Sequence, residues 1–142
     1  MKAYLIDPQE REIRQVDYDG DYKSIYRLLD IDTFTAVELN DKRDVVYVDD
    51  EGLLKDPVYF FTVEGYGQPL AGKGLVLGTD GEGETVEPTL SLETLTQMVG
   101  WKRLTVTGFE SWEGWSEHPT LGRVWTIGNT PTFRERDEGE KE

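Results

Sequence analysis

A glycine-rich segment, residues 65–78, contains the pattern in this sequence that comes nearest to a chemical signature. Gly67 to Lys73 (sequence GQPLAGK) has the spacing of a phosphate-binding loop, in which backbone N–H groups and a lysine hold nucleotide phosphates. Such a loop also needs a Ser or Thr for Mg²⁺, where this chain has Gly74, and it must lead into a helix. Residues 74–78 instead predict a short strand, so a nucleotide-hydrolysing loop is disfavoured.

A binding role for this segment does not need the complete signature. Lys73 is the only basic residue between Lys55 and Lys102, and it lies on the same glycine loop as Tyr66 and Gln68. A lysine flanked by an aromatic ring and an amide can contact an anionic small molecule or a nucleotide. Tyr66, Gln68 and Lys73 are therefore the candidate ligand-binding residues.

Carboxylates are the second group of residues with chemical potential. Asp49, Asp50 and Glu51 follow an apolar strand-like run, and Asp56 comes shortly after them. Three consecutive acids could join a metal site of a hydrolase, but no histidine accompanies them, and an acidic turn explains the pattern equally well. We assign no catalytic residue, no metal ligand and no cofactor. The four acids are instead candidates for an acidic interaction surface.

Composition supports that interpretation. The chain of 142 residues carries 29 acidic and 15 basic residues, which gives a formal net charge of −14. A field of this sign repels nucleic-acid phosphates and favours a basic partner protein, although acids also simply keep a protein in solution. There is no cysteine, which excludes disulfides and thiolate chemistry. The absence of a long apolar run predicts no membrane span and a cytoplasmic location.

The secondary-structure elements that position these residues are predicted to be mostly strands. Alternating or continuous apolar runs predict strands at 2–6, 12–18, 34–39, 44–48, 58–63, 74–78 and 104–107, and more weakly at 124–127. The run at 58–63 is nearly all apolar, which is typical of a central strand. Residues 65–70 are predicted to form a loop.

Two short helices complete the prediction. Apolar residues at helical spacing indicate one helix from about Asp21 to Leu29, with an aspartate as N-cap. Ser91 is the predicted N-cap of a second helix that ends at Gly100. Because short turns rather than helical crossovers separate the strands, the predicted fold is α+β. It comprises a mostly antiparallel, curved sheet of six to seven strands with two short helices on one face.

The C-terminal part contains three tryptophans and the only histidine of the sequence. Trp112, Trp115 and Trp125 stand among Gly, Ser and Pro, and we expect them to cover one end of the sheet core rather than to form a binding platform. His118, the only histidine, is expected to have a structural role. We predict a single domain over residues 1–133 and a disordered acidic tail over residues 134–142.

Three segments in this order resemble a family of small uncharacterised proteins that phages, plasmids and other bacterial mobile elements encode. The segments are Tyr4–Pro8 (YLIDP), Val46–Lys55 (VYVDDEGLLK) and Gly72–Gly78 (GKGLVLG), and the resemblance covers about residues 1–99. It implies a mobile-element accessory protein of a bacterial host cell, and it implies no activity or cofactor.

These observations favour a non-enzymatic protein that binds a basic host protein through its acidic surface. The alternatives are a small-molecule or nucleotide binder that uses the 65–78 segment and, less favoured, a metal-dependent hydrolase.

Overall fold

The computed structural model describes residues 1–136, which form ten strands and two helices. Six strands form the first sheet: β1 (Lys2–Asp7), β2 (Glu12–Asp17), β3 (Phe34–Glu38), β4 (Asp44–Asp49), β7 (Gly74–Thr79) and β8 (Thr85–Val86). Their order is β2-β1-β7-β4-β3, and β8 pairs with the end of β7. Every pairing is antiparallel, as the sequence predicts.

The other four strands form a second sheet. They are β5 (Tyr59–Val63), β6 (Tyr66–Ala71), β9 (Val99–His118) and β10 (Gly122–Glu135), in the order β10-β9-β5-β6. The predicted central strand is confirmed, because β5 lies between β9 and β6 and both Phe60 and Phe61 are fully buried. Residues 1–136 thus form ten strands in two sheets instead of six to seven strands in one.

Successive side chains along the strands of the first sheet point to alternate faces, so its apolar side chains are divided between two cores. Ala3 and Leu5 of β1 pack with helix α1 (Lys23–Leu29), whereas Tyr4 and Ile6 face the second sheet. Leu95 of helix α2 (Leu92–Met98) belongs to this second core. The two helices therefore lie against opposite faces of the first sheet, so the prediction that both cover one face is wrong. Successive strand residues point to opposite faces, and each face needs its own cover.

The predicted N-cap at Ser91 is confirmed, because its hydroxyl accepts a hydrogen bond from the Thr94 backbone N–H at 3.1 Å. Helix α2 nevertheless ends at Met98, and Gly100 lies in β9 rather than at the helix end. Helix α1 begins at Lys23, later than predicted. No helix among residues 1–136 is long and apolar enough to cross a membrane.

The predicted loop at residues 65–70 is also wrong, since residues 66–71 form β6. Glu64 and Gly65 make a two-residue turn, with Gly65 at φ +88°, and Val63 pairs with Tyr66 across it. Glycine and proline lower strand propensity, but pairing with β5 overrides that preference at a sheet edge, where proline is tolerated.

The longest strands form a protruding ribbon. Residues 99–103 of β9 pair with β5, whereas residues 104–118 pair with β10. Val106 and Phe133 still pack against the body beside Phe60, but from Thr107 to Thr132 the two strands pair only with each other. At about 3.4 Å per residue, residues 108–118 extend about 35 Å. We call residues 107–132 the ribbon, and the remainder of the described chain the body.

Residues 137–142, most of the predicted acidic tail, lie outside the described residues, and Arg134 and Glu135 belong to β10.

Candidate functional site

A cavity of about 380 Å³ lies where several connections of the body meet, and it contains Lys73. Its walls come from the β1–β2 turn, the C-terminal end of α1, the segment between β4 and β5, and the β6–β7 turn. The lining includes apolar side chains from all four of these segments: Pro8, Leu29, Ile31, Pro57, Val58 and Ala71. Charged side chains, Gln9, the Tyr59 ring and two glycines complete it. A cavity of this size and lining is suited to a small ligand.

The three candidate ligand-binding residues of the 65–78 segment do not line a common cavity. Lys73 lines the cavity and is half-buried, whereas neither Tyr66 nor Gln68 is among the residues that line it. Tyr66 is exposed and Gln68 is half-buried on β6. The segment after Lys73 is strand β7, as predicted. The segment therefore lacks the helix N-terminus that a phosphate-binding loop needs at this position.

The acidic candidates divide in a similar way. Asp49 lines the cavity with only 9% of its side chain exposed, and its Oδ2 accepts a hydrogen bond from Lys55 Nζ at 2.7 Å. Its Oδ1 accepts another from the Glu51 backbone N–H at 2.9 Å. Asp50, Glu51 and Asp56 are exposed. Both carboxylate oxygens of Asp49 therefore accept hydrogen bonds within the protein, whereas the other three acids are exposed.

Folding brings further acids to this turn. The pKa of Lys55 is raised, first by its hydrogen bond with Asp49 and then by the negative charges of Asp49, Asp32 and Glu51. Asp32 comes from the segment after α1, far from Lys55 in sequence, so folding adds Asp32 to the acidic residues around Lys55. Among residues 1–136, no group of three or more His, Asp or Glu side chains is arranged to hold a metal ion.

The ribbon carries the exposed aromatic residues. Trp112, Trp115 and Trp125 are 48%, 60% and 52% exposed, so the prediction that they cover the sheet core is wrong. They lie beyond the point where β5 pairs with β9, in the part of β9 and β10 where the two strands pair only with each other. His118, at the ribbon tip, accepts hydrogen bonds at Nδ1 from the Thr120 and Leu121 backbone N–H groups, which is a structural role in the turn.

The pairing register separates the two faces of the ribbon, because directly opposite residues share a face. One face, which we call the Trp115 face, carries Trp115 opposite Trp125, with ring centroids 5.3 Å apart. Arg123 lies over the Trp115 ring at 5.0 Å. Ile127 is 73% exposed on the same face, and Phe109, opposite Pro131, is 48% exposed. On the opposite face Trp112 lies over Gly128, among small residues.

Sequence reasoning missed the ribbon for a definable reason. Phe109, Trp112 and Trp115 are spaced three residues apart, which obscures the two-residue period of a strand. The available signal is the turn at residues 119–121 followed by Gly122, flanked by Trp115 and Trp125 at distances that allow pairing.

Comparison with known proteins places the body in a family. A family model described as a domain of unknown function (DUF3846) matches residues 1–101. The chain is also 34% identical over 94 residues to the uncharacterized protein y4iR of Sinorhizobium fredii, a match that covers 64% of this chain. The match spans 57% of that relative's length. No solved structure matches the chain. The family match ends just before the ribbon, and on the strength of residues 1–101 the chain belongs to the DUF3846 family.

Proposed function

We propose that this protein is a non-enzymatic accessory protein of a bacterial mobile element, and that it binds a basic protein of the host cytoplasm. The observation that carries the proposal is the Trp115 face, where Trp115, Trp125 and Ile127 are exposed neighbours on a ribbon that stands away from the body. The mobile-element assignment rests on the resemblance of residues 1–99 described above.

The area of the Trp115 face supports a role in binding. Trp115, Trp125, Phe109 and Ile127 are each about half exposed or more. With roughly 200 Å² for a large side chain, they present on the order of 400 Å² of apolar surface. The largest apolar patch on a monomeric protein is about 300–600 Å² and is often functional, and a standard interface buries about 800 Å² on each partner. The face could thus form the apolar centre of an interface, where tryptophan contributes most of the binding energy.

The charge of the body supports a basic partner. The whole chain has a net charge of −14, and the ribbon between Thr107 and Thr132, with three acids and one arginine, is negative as well. An acidic surface steers a basic partner toward the molecule and raises the association rate. Asp50, Glu51 and Asp56 are exposed acids available for this long-range attraction.

The test compares two substitution sets in one binding assay. The wild-type protein is immobilised, host proteins that bind at low salt are identified, and the affinity of the purified partner is then measured. The Trp115→Ala/Trp125→Ala variant should weaken binding at least about hundredfold, because interface tryptophans contribute 2 kcal/mol or more each. Asp50→Asn/Glu51→Gln/Asp56→Asn should mainly reduce the association rate and the dependence of that rate on salt.

Leu54→Ala is the matched control, because Leu54 is 74% exposed but lies on the body. Its affinity should equal that of the wild type. Equal binding by the double tryptophan variant would exclude the ribbon as the binding surface. A partner whose association rate does not change with salt would show that acidic steering is wrong.

A further inference from the structure

The cavity that contains Lys73 is a second potential site, separate from the ribbon and within the residues that match the family. Five ionisable side chains line it: Asp7, Asp30, Asp49, Lys55 and Lys73. Which of them can bind a ligand depends on how many are already satisfied by the protein. A group that already has its partners gains little from a ligand, whereas a free charge beside apolar walls can anchor one.

Three of the five are engaged in contacts within the body. Asp7 is 7% exposed, and its Oδ1 accepts hydrogen bonds from the Gln9 and Glu10 backbone N–H groups at 3.1 and 3.3 Å, which holds the β1–β2 turn. Asp49 and Lys55 form the ion pair described above, at 2.7 Å. These groups shape the cavity wall and leave little capacity for a ligand.

Lys73 and Asp30 are different. Within residues 1–136, neither side chain forms a hydrogen bond or an ion pair. Asp30 follows α1 as its C-cap residue in the left-handed conformation, with φ 55°, and its backbone N–H bonds to the Arg27 carbonyl at 3.3 Å. Lys73, from the β6–β7 turn, is half-buried, and Asp30, from the end of α1, is exposed. The cavity therefore has a cation and an anion that no protein group within residues 1–136 holds.

The charge balance of the lining argues against a phosphate ligand. Three carboxylates and two ammonium groups give the wall a net negative charge, so a polyphosphate would meet more repulsion than attraction. A ligand with a single charge would contact only Lys73 or only Asp30, and water would solvate the other group. A ligand with one group of each sign satisfies both.

The apolar part of the cavity wall determines what kind of side chain the ligand can carry. Leu29, Ile31 and Val58 contribute branched aliphatic side chains, and the Tyr59 ring adds an aromatic surface. A volume of about 380 Å³ lies at the small end of the range for ligand sites. We propose that this cavity binds a small zwitterion with an apolar side chain, such as a free aliphatic amino acid, whose carboxylate contacts Lys73 and whose ammonium contacts Asp30.

The test is calorimetric titration of the full chain with free leucine, isoleucine, valine and methionine. Isocaproate and isoamylamine serve as analogues of leucine that keep only the carboxylate or only the amine. At least one amino acid should bind saturably, and each single-charge analogue of leucine should bind at least about tenfold more weakly than leucine, because a charged hydrogen bond is lost. Isocaproate binding as tightly as leucine would overturn the zwitterion assignment, as would the absence of saturable binding by all four amino acids.

Two variants locate the site. Lys73→Gln and Asp30→Asn should each weaken binding about tenfold or more, and Asp30→Asn is conservative because asparagine tolerates the left-handed conformation well. Lys73→Arg, which keeps the charge, should retain binding. The matched controls Lys23→Gln and Asp41→Asn change exposed charges outside the cavity and should leave the affinity unchanged. Unchanged affinity in either cavity variant, with the fold intact by circular dichroism, would overturn the proposal. This outcome is independent of partner binding by the ribbon.

Discussion

The carboxylate of Asp44 holds Thr89 in place across 45 positions of sequence. Asp44 is fully buried at the start of β4, and its Oδ1 accepts a hydrogen bond from the Thr89 backbone N–H at 2.8 Å. Its Oδ2 accepts further hydrogen bonds from the Thr89 hydroxyl, the Leu90 N–H at 3.1 Å and Asn40 Nδ2 at 2.9 Å. This network fixes the segment that leads into α2, directly before the N-cap Ser91.

Substitution of Asp44 should therefore destabilise the body. Asp44→Asn replaces one acceptor oxygen with an amide NH₂, which leaves buried donors facing a donor. We expect a loss of about 1–3 kcal/mol in the free energy of unfolding, which is the usual range for an unsatisfied buried polar group. Urea denaturation measures it. Asp41→Asn, an exposed aspartate in the same turn, is the control and should change stability by less than about 0.5 kcal/mol.

The same network predicts an acid dependence. Burial raises the pKa of Asp44, but the hydrogen bonds from Thr89, Asn40 and Leu90 outweigh burial and lower it overall. An unfolded aspartate has a pKa of about 3.9. The stabilising contribution is therefore complete above that pH and is lost as pH falls through the lower folded-state pKa. The difference in unfolding free energy between wild type and Asp44→Asn should be constant from about pH 5 to 7 and should shrink below pH 4. A difference that stays the same down to pH 3 would contradict this assignment.

Close packing between the sheets predicts the effect of a methyl group at Gly74. A Cβ at this position would lie 2.7 Å from Val46 Cγ2 and 2.8 Å from Phe61 Cζ, both in the core between the two sheets. Gly74→Ala should destabilise the protein by about 1–3 kcal/mol through overpacking. Gly67→Ala is the control, because a Cβ there meets no atom within 4 Å and the backbone φ is not positive. Equal midpoints of thermal unfolding for the two variants would show that the core accommodates the added methyl group at Gly74 without a loss of stability.

Removal of the ribbon should leave the body folded. Val106 and Phe133 are opposite each other in the β9–β10 register, so residues 107–132 can be replaced with an Asn-Gly turn, which suits a two-residue hairpin. The shortened chain keeps Leu104, Val106 and Phe133 against Phe60.

We expect cooperative thermal unfolding, with an unfolding free energy within about 2 kcal/mol of the full chain, because isolated two-stranded ribbons contribute little stability of their own. The shortened chain should also lose affinity for the proposed partner. An unfolded product would mean that the ribbon is part of the folding unit. Phe133→Ala in the full chain is a positive control for destabilisation, since it removes the edge-to-face contact with Phe60 at a centroid distance of 5.5 Å.

Local sequence information was sufficient for most elements of the body. The β1–β2 and β3–β4 hairpins, the central strand β5, strand β7 and the Ser91 cap follow from alternation, turn residues and capping chemistry within a few positions. These signals are local because each depends on the preference of the backbone and its nearest neighbours. They also gave the α+β class and the antiparallel pairing, since short turns allow little else.

Only the tertiary structure decided the division of those elements between two sheets, the placement of α1 and α2 on opposite faces, and the formation of β6 from a Gly- and Pro-containing segment. Each depends on pairings between distant parts of the chain, which override local preference. The candidate sites depend on the same kind of information. The sequence singled out Lys73 but could not place Asp30 beside the same cavity, since turns from four parts of the chain meet there. It showed three tryptophans but not that they are exposed, because the burial of a side chain depends on which surfaces fold against it.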